Sequence, residues 1–146
     1  MTSFHSDQSD CWVVLYDADC GFCRWSLGLL LRLDRRHRLL PVKLATPRAD
    51  ELLSDLTHDQ RMASWHLVSA DGRHWSAGTA LPRVLALLPA GGIPAAMLDR
   101  IPRITDRGYW WVAAHRGTLG RLVPSEAKRR ATRLIERRGR EEELGA

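Results

Sequence analysis

The chain has 146 residues, 45% hydrophobic and 27% charged, with a formal net charge of +5 and three cysteines. That length suits one domain with its own core, since domains most often run about 100–150 residues. Three cysteines are too few for a disulfide-held secreted scaffold, and an odd number cannot all pair within one chain.

The stretch from Met1 to Asp10 is polar and acidic. It lacks the basic segment and apolar run of a signal peptide and reads as a disordered tail over residues 1–10. No apolar run approaches the roughly 20 residues of a spanning helix. The expectation is a soluble, cytoplasmic protein, where closely spaced cysteines serve catalysis or metal binding more often than structure.

Cys11-Trp12-Val13-Val14-Leu15-Tyr16 is short, apolar, β-branched and aromatic, which predicts a buried strand. After Cys20-Gly21-Phe22-Cys23, Trp25, Leu29, Leu30 and Leu33 recur at helical spacing and predict a helix from Arg24 to about Arg36. Leu39 to Leu44 reads as a second strand, and Pro41 assigns it to an edge or to a strand start. Thr46-Pro47 predicts an N-cap and first helical residue for a short helix over Arg48–Leu53. Thr57 with Gln60 forms a capping-box pattern for a further short turn.

Trp65 to Ser69 and Arg73 to Ser76 flank Ala70-Asp71-Gly72, which predicts a hairpin. Gly78-Thr79 opens a helix carrying Leu81, Val84, Leu85 and Leu88, and Pro89 to Gly92 ends it. The order is therefore β-α-β-α-β-β-α. Beyond it, Pro94 to Leu98 reads as a helical turn and Asp106 to about His115 as a helix. Ser125 opens a basic helix whose Ala127, Ala131, Leu134 and Ile135 make a narrow apolar stripe.

The chemistry concentrates in Cys20-Gly21-Phe22-Cys23. A Cys-x-x-Cys between a strand and a helix puts the first thiol near unpaired backbone N–H groups and the positive end of the helix dipole, which favour its thiolate. Thiolate is the attacking species. Two intervening residues place Cys23 one turn along the same face, where it can resolve the mixed disulfide formed on Cys20. The competing reading is a metal-binding pair. A four-ligand zinc site wants two further ligands, and Cys11, His37, His66 and His74 supply no pair at the usual spacing.

The stretch Tyr16-Asp17-Ala18-Asp19-Cys20-Gly21-Phe22-Cys23 resembles the signature of the DCC family of thiol-disulfide oxidoreductases. Asp71-Gly72-Arg73, then Gly78-Thr79-Ala80 opening a helix, then Tyr109 with Arg116 follow in that family's order, so the likeness covers roughly residues 12–122. It implies a thioredoxin-like α/β domain over 11–122, with a basic C-terminal helix and acidic tail over 123–146. It implies Asp17, Cys20 and Cys23 as motif positions, with Asp19, Gly21 and Phe22 beside them. No cofactor or metal is expected. The implied partners are a disulfide or dithiol protein, or a low-molecular-weight thiol. Two features depart from thioredoxins. Asp19 and Gly21-Phe22 replace Trp and Gly-Pro. No proline lies near Ala63-Ser64, where thioredoxins carry a cis-proline facing the disulfide.

Asp17 is placed either to relay a proton to Cys23 or to brace the turn, and spacing alone leaves both open. Asp19 is expected to face solvent or cap the helix, its charge opposing the thiolate of Cys20.

The positive charge has an address. Residues 121–140 hold eight basic residues against Glu126 and Glu136, a net of +6, so the remainder sums to −1. Glu126 stands four before Arg130 and Glu136 four before Arg140, spacings that brace an exposed helix. The expectation is a solvated terminal helix in preference to a nucleic-acid or peripheral membrane contact. Trp12, Trp25, Trp65 and Trp75 are expected in the core, and Trp110-Trp111 packed across the domain. A non-catalytic interaction module using the Arg-rich helix or Trp110-Trp111 is the rival to redox chemistry.

Overall fold

A computed structural model describes residues 11–145, so the tail expected over 1–10 lies outside the described residues. Strand β1 (Trp12–Tyr16) is followed by α1 (Gly21–Leu33), β2 (Leu39–Lys43), α2 (Pro47–Leu52) and α3 (His58–Ala63). The hairpin β3 (His66–Val68) and β4 (His74–Ser76) then leads through a 3-10 turn at Ala77–Thr79 into α4 (Ala80–Leu87). Four more helices follow: α5 (Gly92–Arg100), α6 (Pro102–Ala114), α7 (Arg116–Leu122) and α8 (Ser125–Gly145).

The sheet runs β2-β1-β3-β4. β1 pairs in parallel with β2 and antiparallel with β3, which is antiparallel to β4. This is a thioredoxin-like fold with a C-terminal helix, as the motif order predicts. Pro41 sits on β2, at the sheet edge, where its missing N–H leaves no gap in an inner ladder. Side chains alternate across the sheet. Val14 and Tyr16 face a core built with Leu27 and Leu31 of α1, Val84 of α4 and Ile135 of α8. Leu15, one residue on, faces the opposite core with Val42, Leu44, Ala49 and Leu53.

Local chemistry sets the element ends. Thr46 caps α2 with Pro47 behind it, and Thr57 and Gln60 form the expected capping box on α3. Gly72 takes the left-handed φ of +84° that the hairpin turn requires. α1 starts at Gly21, three residues ahead of the predicted start, because Cys20 is its cap. It stops at Leu33 because the Asp34 carboxylate accepts from Arg38 N and Leu39 N at 3.1 and 2.9 Å, folding the chain into β2. β3 begins at His66, so Trp65 lies in the loop before it. α5 and α6 are longer than predicted, and α7 was not anticipated.

The C-terminal helix departs most from expectation. It continues unbroken through Glu141, Glu142 and Glu143 and lies along α1 and β2. Ala131 and Ile135 are buried, and Ala131 presses so closely on Gly28 that a Cβ there would come within 2.5 Å of the alanine Cβ. Arg138 is buried as well. Its Nη1 donates to Asp34 Oδ2 at 3.0 Å, and its Nη2 donates to the carbonyls of Leu31 and Asp34. Only the outer face behaves as a solvated helix, with Glu126 bridging Arg130 and Arg133.

Candidate active site

The β1 strand ends at Tyr16, and the next four residues carry the chain across the top of the sheet into α1. Asp17 shapes that crossing. Its Oδ1 accepts from Asp19 N at 3.0 Å, and its carbonyl accepts from Cys20 N at 3.4 Å. Asp17 is the bracing residue of the turn in this arrangement, and it also meets Arg116 Nη1 through Oδ2 at 3.7 Å. Asp19 is exposed and does not cap the helix; that position belongs to Cys20.

Cys20 is extended (φ −92°, ψ 111°), and its Sγ accepts from Cys23 N at 3.2 Å. A sulfur thus does what a Ser or Asp oxygen usually does at an N-cap, satisfying a backbone N–H left over at the helix start. Cys20 and Cys23 are joined as a disulfide with their Cα atoms 5.2 Å apart. Both are half-buried. Cys11 precedes the opposite end of β1, a strand-length away, and takes no part in the pair.

Two later helices flank the pair. Gly120 of α7 is buried with its Cα side facing Phe22, where a Cβ would lie 3.5 Å from Phe22 N. α8 brings Lys128 against Gly21: a Cβ at Gly21 would lie 3.5 Å from Lys128 Cδ and 3.7 Å from its Nζ. A cation therefore sits beside the first residue of α1, where sequence spacing gave no hint of one.

Beside the pair lies a cavity of about 570 Å3 between α1 and α6. Cys23, Phe22, Leu27 and Leu30 form one wall, and Ile104, Tyr109 and Val112 of α6 part of the other. Asp17, Arg116 and Ser64 also line it. α6 is held off α1 by its anchors elsewhere. Gly78 N donates to Asp106 Oδ1 at 3.3 Å, and Trp65 N donates to Tyr109 Oη at 3.3 Å. Burial pushes the Tyr109 phenol above its ordinary value, with the Trp65 N–H and Arg116 pulling the other way, so the hydroxyl stays protonated.

Trp110 and Trp111 are 43% and 60% exposed, so neither packs across the domain. Trp110 meets Tyr109 edge-on and Trp111 stacks on His115. Trp12, Trp65 and Trp75 are half-buried around the first core, Trp12 and Trp75 stacked with ring centres 5.5 Å apart, whereas Trp25 is half-buried against Phe22 and lies outside that core. Among the described residues, no three His, Cys, Asp or Glu side chains converge as metal ligands, and no helix is long and apolar enough to cross a membrane.

A four-stranded sheet of this order with a Cys-x-x-Cys disulfide capping its first helix defines a thioredoxin-like dithiol–disulfide protein. The family model of DCC1-like thiol-disulfide oxidoreductase matches residues 14–122. The chain belongs to that family. No match was found among curated proteins or among solved structures.

Proposed function

We propose that the protein exchanges disulfides with Cys20 as the attacking thiolate and Cys23 as the resolving thiol. The observation that supports this most directly is the Cys23 N–H donated to Cys20 Sγ at the helix N-terminus. A hydrogen bond to an ionised acceptor is roughly twice as strong as one to a neutral acceptor, so this contact favours the thiolate. The dipole of the 13-residue helix acts in the same direction. Lys128 adds a third contribution of the same sign.

The Cys20 thiolate attacks one sulfur of a substrate disulfide, forming a mixed disulfide and releasing one thiolate. Cys23 loses its proton and attacks Cys20 Sγ, releasing the second thiol and regenerating the internal disulfide. Asp17 is the carboxylate available to take that proton, since it shares the cavity wall with Cys23. Its partners are disulfides or dithiols, either on a protein or of low molecular weight.

Thiol trapping tests the assignment. The Cys23→Ser variant, mixed with an oxidised substrate, accumulates a mixed disulfide on Cys20, and the Cys20→Ser variant does not. A Cys20 that titrates as an ordinary thiol at about 8.5, together with a pair that never closes under oxidising conditions, overturns the reading.

A further inference from the structure

We infer that the cavity beside Cys23 is a binding site for a low-molecular-weight disulfide or thiol with an apolar body and a carboxylate. The inference rests on the exchange reading above and names its substrate class. Four observations carry it. First, the volume of about 570 Å3 falls in the range of small-molecule sites, about 300–1,000 Å3. Second, one of the two redox cysteines forms part of the wall. Third, Ile101 and Ile104 line the cavity yet remain 43% and 64% exposed, so it opens to solvent along α6. An apolar occupant would cover those side chains and gain the burial they lack.

The fourth is charge. Arg116 lines the cavity with its side chain 42% exposed, and its contact with Asp17 is one Nη1–Oδ2 approach at 3.7 Å. That distance leaves the guanidinium fork open to a bidentate carboxylate. An extended peptide fits less well. The N–H of Trp65, in the loop that shares the cavity with Cys23, is already donated to Tyr109, so that group is closed to a peptide carbonyl.

The exchange balances within the site. The Cys20 thiolate attacks one ligand sulfur, the ligand S–S bond breaks, and one ligand thiolate leaves. Cys23 then attacks Cys20, and the second thiolate leaves as the internal disulfide closes. Two electrons pass to the ligand, the Cys23 proton passes through Asp17 to the medium, and a dithiol reductant returns the pair to the reduced state.

The test uses the reduced full chain in stopped-flow single turnover against four disulfides: dithiobis-nitrobenzoate, dithiodipyridine, hydroxyethyl disulfide and insulin. Rates are normalised to each compound's own reaction with dithiothreitol. The expected result is saturable kinetics with dithiobis-nitrobenzoate and a preference over hydroxyethyl disulfide of about tenfold or more, about 1.4 kcal/mol. Arg116→Gln lowers the preference for the carboxylated over the pyridyl disulfide. Ser26→Leu and Val112→Phe, two independent ways to fill the cavity, lower the preference for either aromatic disulfide over hydroxyethyl disulfide. Unsaturable kinetics, insulin as the best substrate, or filled variants with an unaltered preference would overturn the inference. Failure to turn over even hydroxyethyl disulfide points instead against the exchange reading.

Discussion

Asp34 and Arg138 lie 104 residues apart in the chain and meet at 3.0 Å, with both side chains buried. The carboxylate also accepts two backbone N–H groups at the start of β2, and the guanidinium also donates to two carbonyls at the end of α1. One ion pair thus ties three elements together, with its hydrogen-bonding groups largely satisfied inside. Such a pair contributes little when compared with an apolar replacement, but removing one partner leaves a buried charge alone. Arg138→Ala is expected to lower unfolding stability by about 3–5 kcal/mol. Urea titration followed by circular dichroism checks it, and a loss below about 1 kcal/mol would contradict the burial of the pair.

The contact between Gly28 and Ala131 predicts a steric cost. A Cβ at Gly28 would meet the Ala131 Cβ at 2.5 Å and its Cα at 2.9 Å. Gly28→Ala should therefore push α8 from α1 and cost about 1–3 kcal/mol, although alanine is the better helix former by about 1 kcal/mol. Ala131→Gly in the same chain relieves the Cβ clash but not the Cα one, so rescue is partial. Thermal melts of the two single variants and the double variant give the coupling. A stabilised Gly28→Ala protein would show that the helices do not approach this closely.

His66 predicts a pH dependence of stability. Burial holds its imidazole below the ordinary value, aided by His74 and opposed by the Arg61 carbonyl. Its Nε2 lies 2.8 Å from that carbonyl, so it carries the proton, and Nδ1 accepts from Ser76 Oγ at 2.6 Å. The unfolded chain takes up a proton at about pH 6.5, before the folded one does. Stability is therefore full above that value and falls as pH drops through it. Melting temperatures measured from about pH 8 to about pH 5 should decline, and His66→Gln should flatten part of the decline. A wild-type curve level across that window would count against a buried neutral ring.

Lys128 predicts an effect on reactivity. Replacing it with Gln removes a cation beside Gly21 without touching the cysteines. An exposed charge pair is worth about 0.2–1 kcal/mol, so alkylation of reduced Cys20 near neutral pH should slow by about 1.4- to fivefold. The two proteins should converge once pH is high enough to ionise the thiol fully, and added salt should shrink the gap at neutral pH. A slowing that persists at high pH would mean that Lys128 acts through structure and not through its charge.

Much of the sheet and of the first helices was readable from local chemistry. Thr46-Pro47, Thr57 with Gln60, Pro41 on an edge and Asp71-Gly72 in the hairpin each act within a few residues, and each behaves as its spacing implies. The cysteine motif was readable for the same reason, since strand, pair and helix are contiguous. What is not legible locally depends on distant contacts. Arg138 follows Ala131 and Ile135 on one helical face at steps of four and three, so the apolar stripe runs on into a charge. That interruption was the available signal for a buried ion pair, hidden by an abundance of arginine. The cavity left no such mark, because it exists only where Asp106 and Tyr109 hold α6 away from α1.

The position of α8 has a consequence for biosynthesis. The strand and helix that carry the cysteines are among the first parts of the domain to leave the ribosome, yet Leu27 and Leu31 share their core with Ile135. Until α8 has emerged, that apolar face stays open to water and Asp34 lacks its cation. Until then the nascent chain holds both cysteines on a helix that lacks one of its packing partners, and chaperones that cover exposed apolar segments have an opportunity there. Completion of the last helix is the event that converts a sticky intermediate into a finished redox domain.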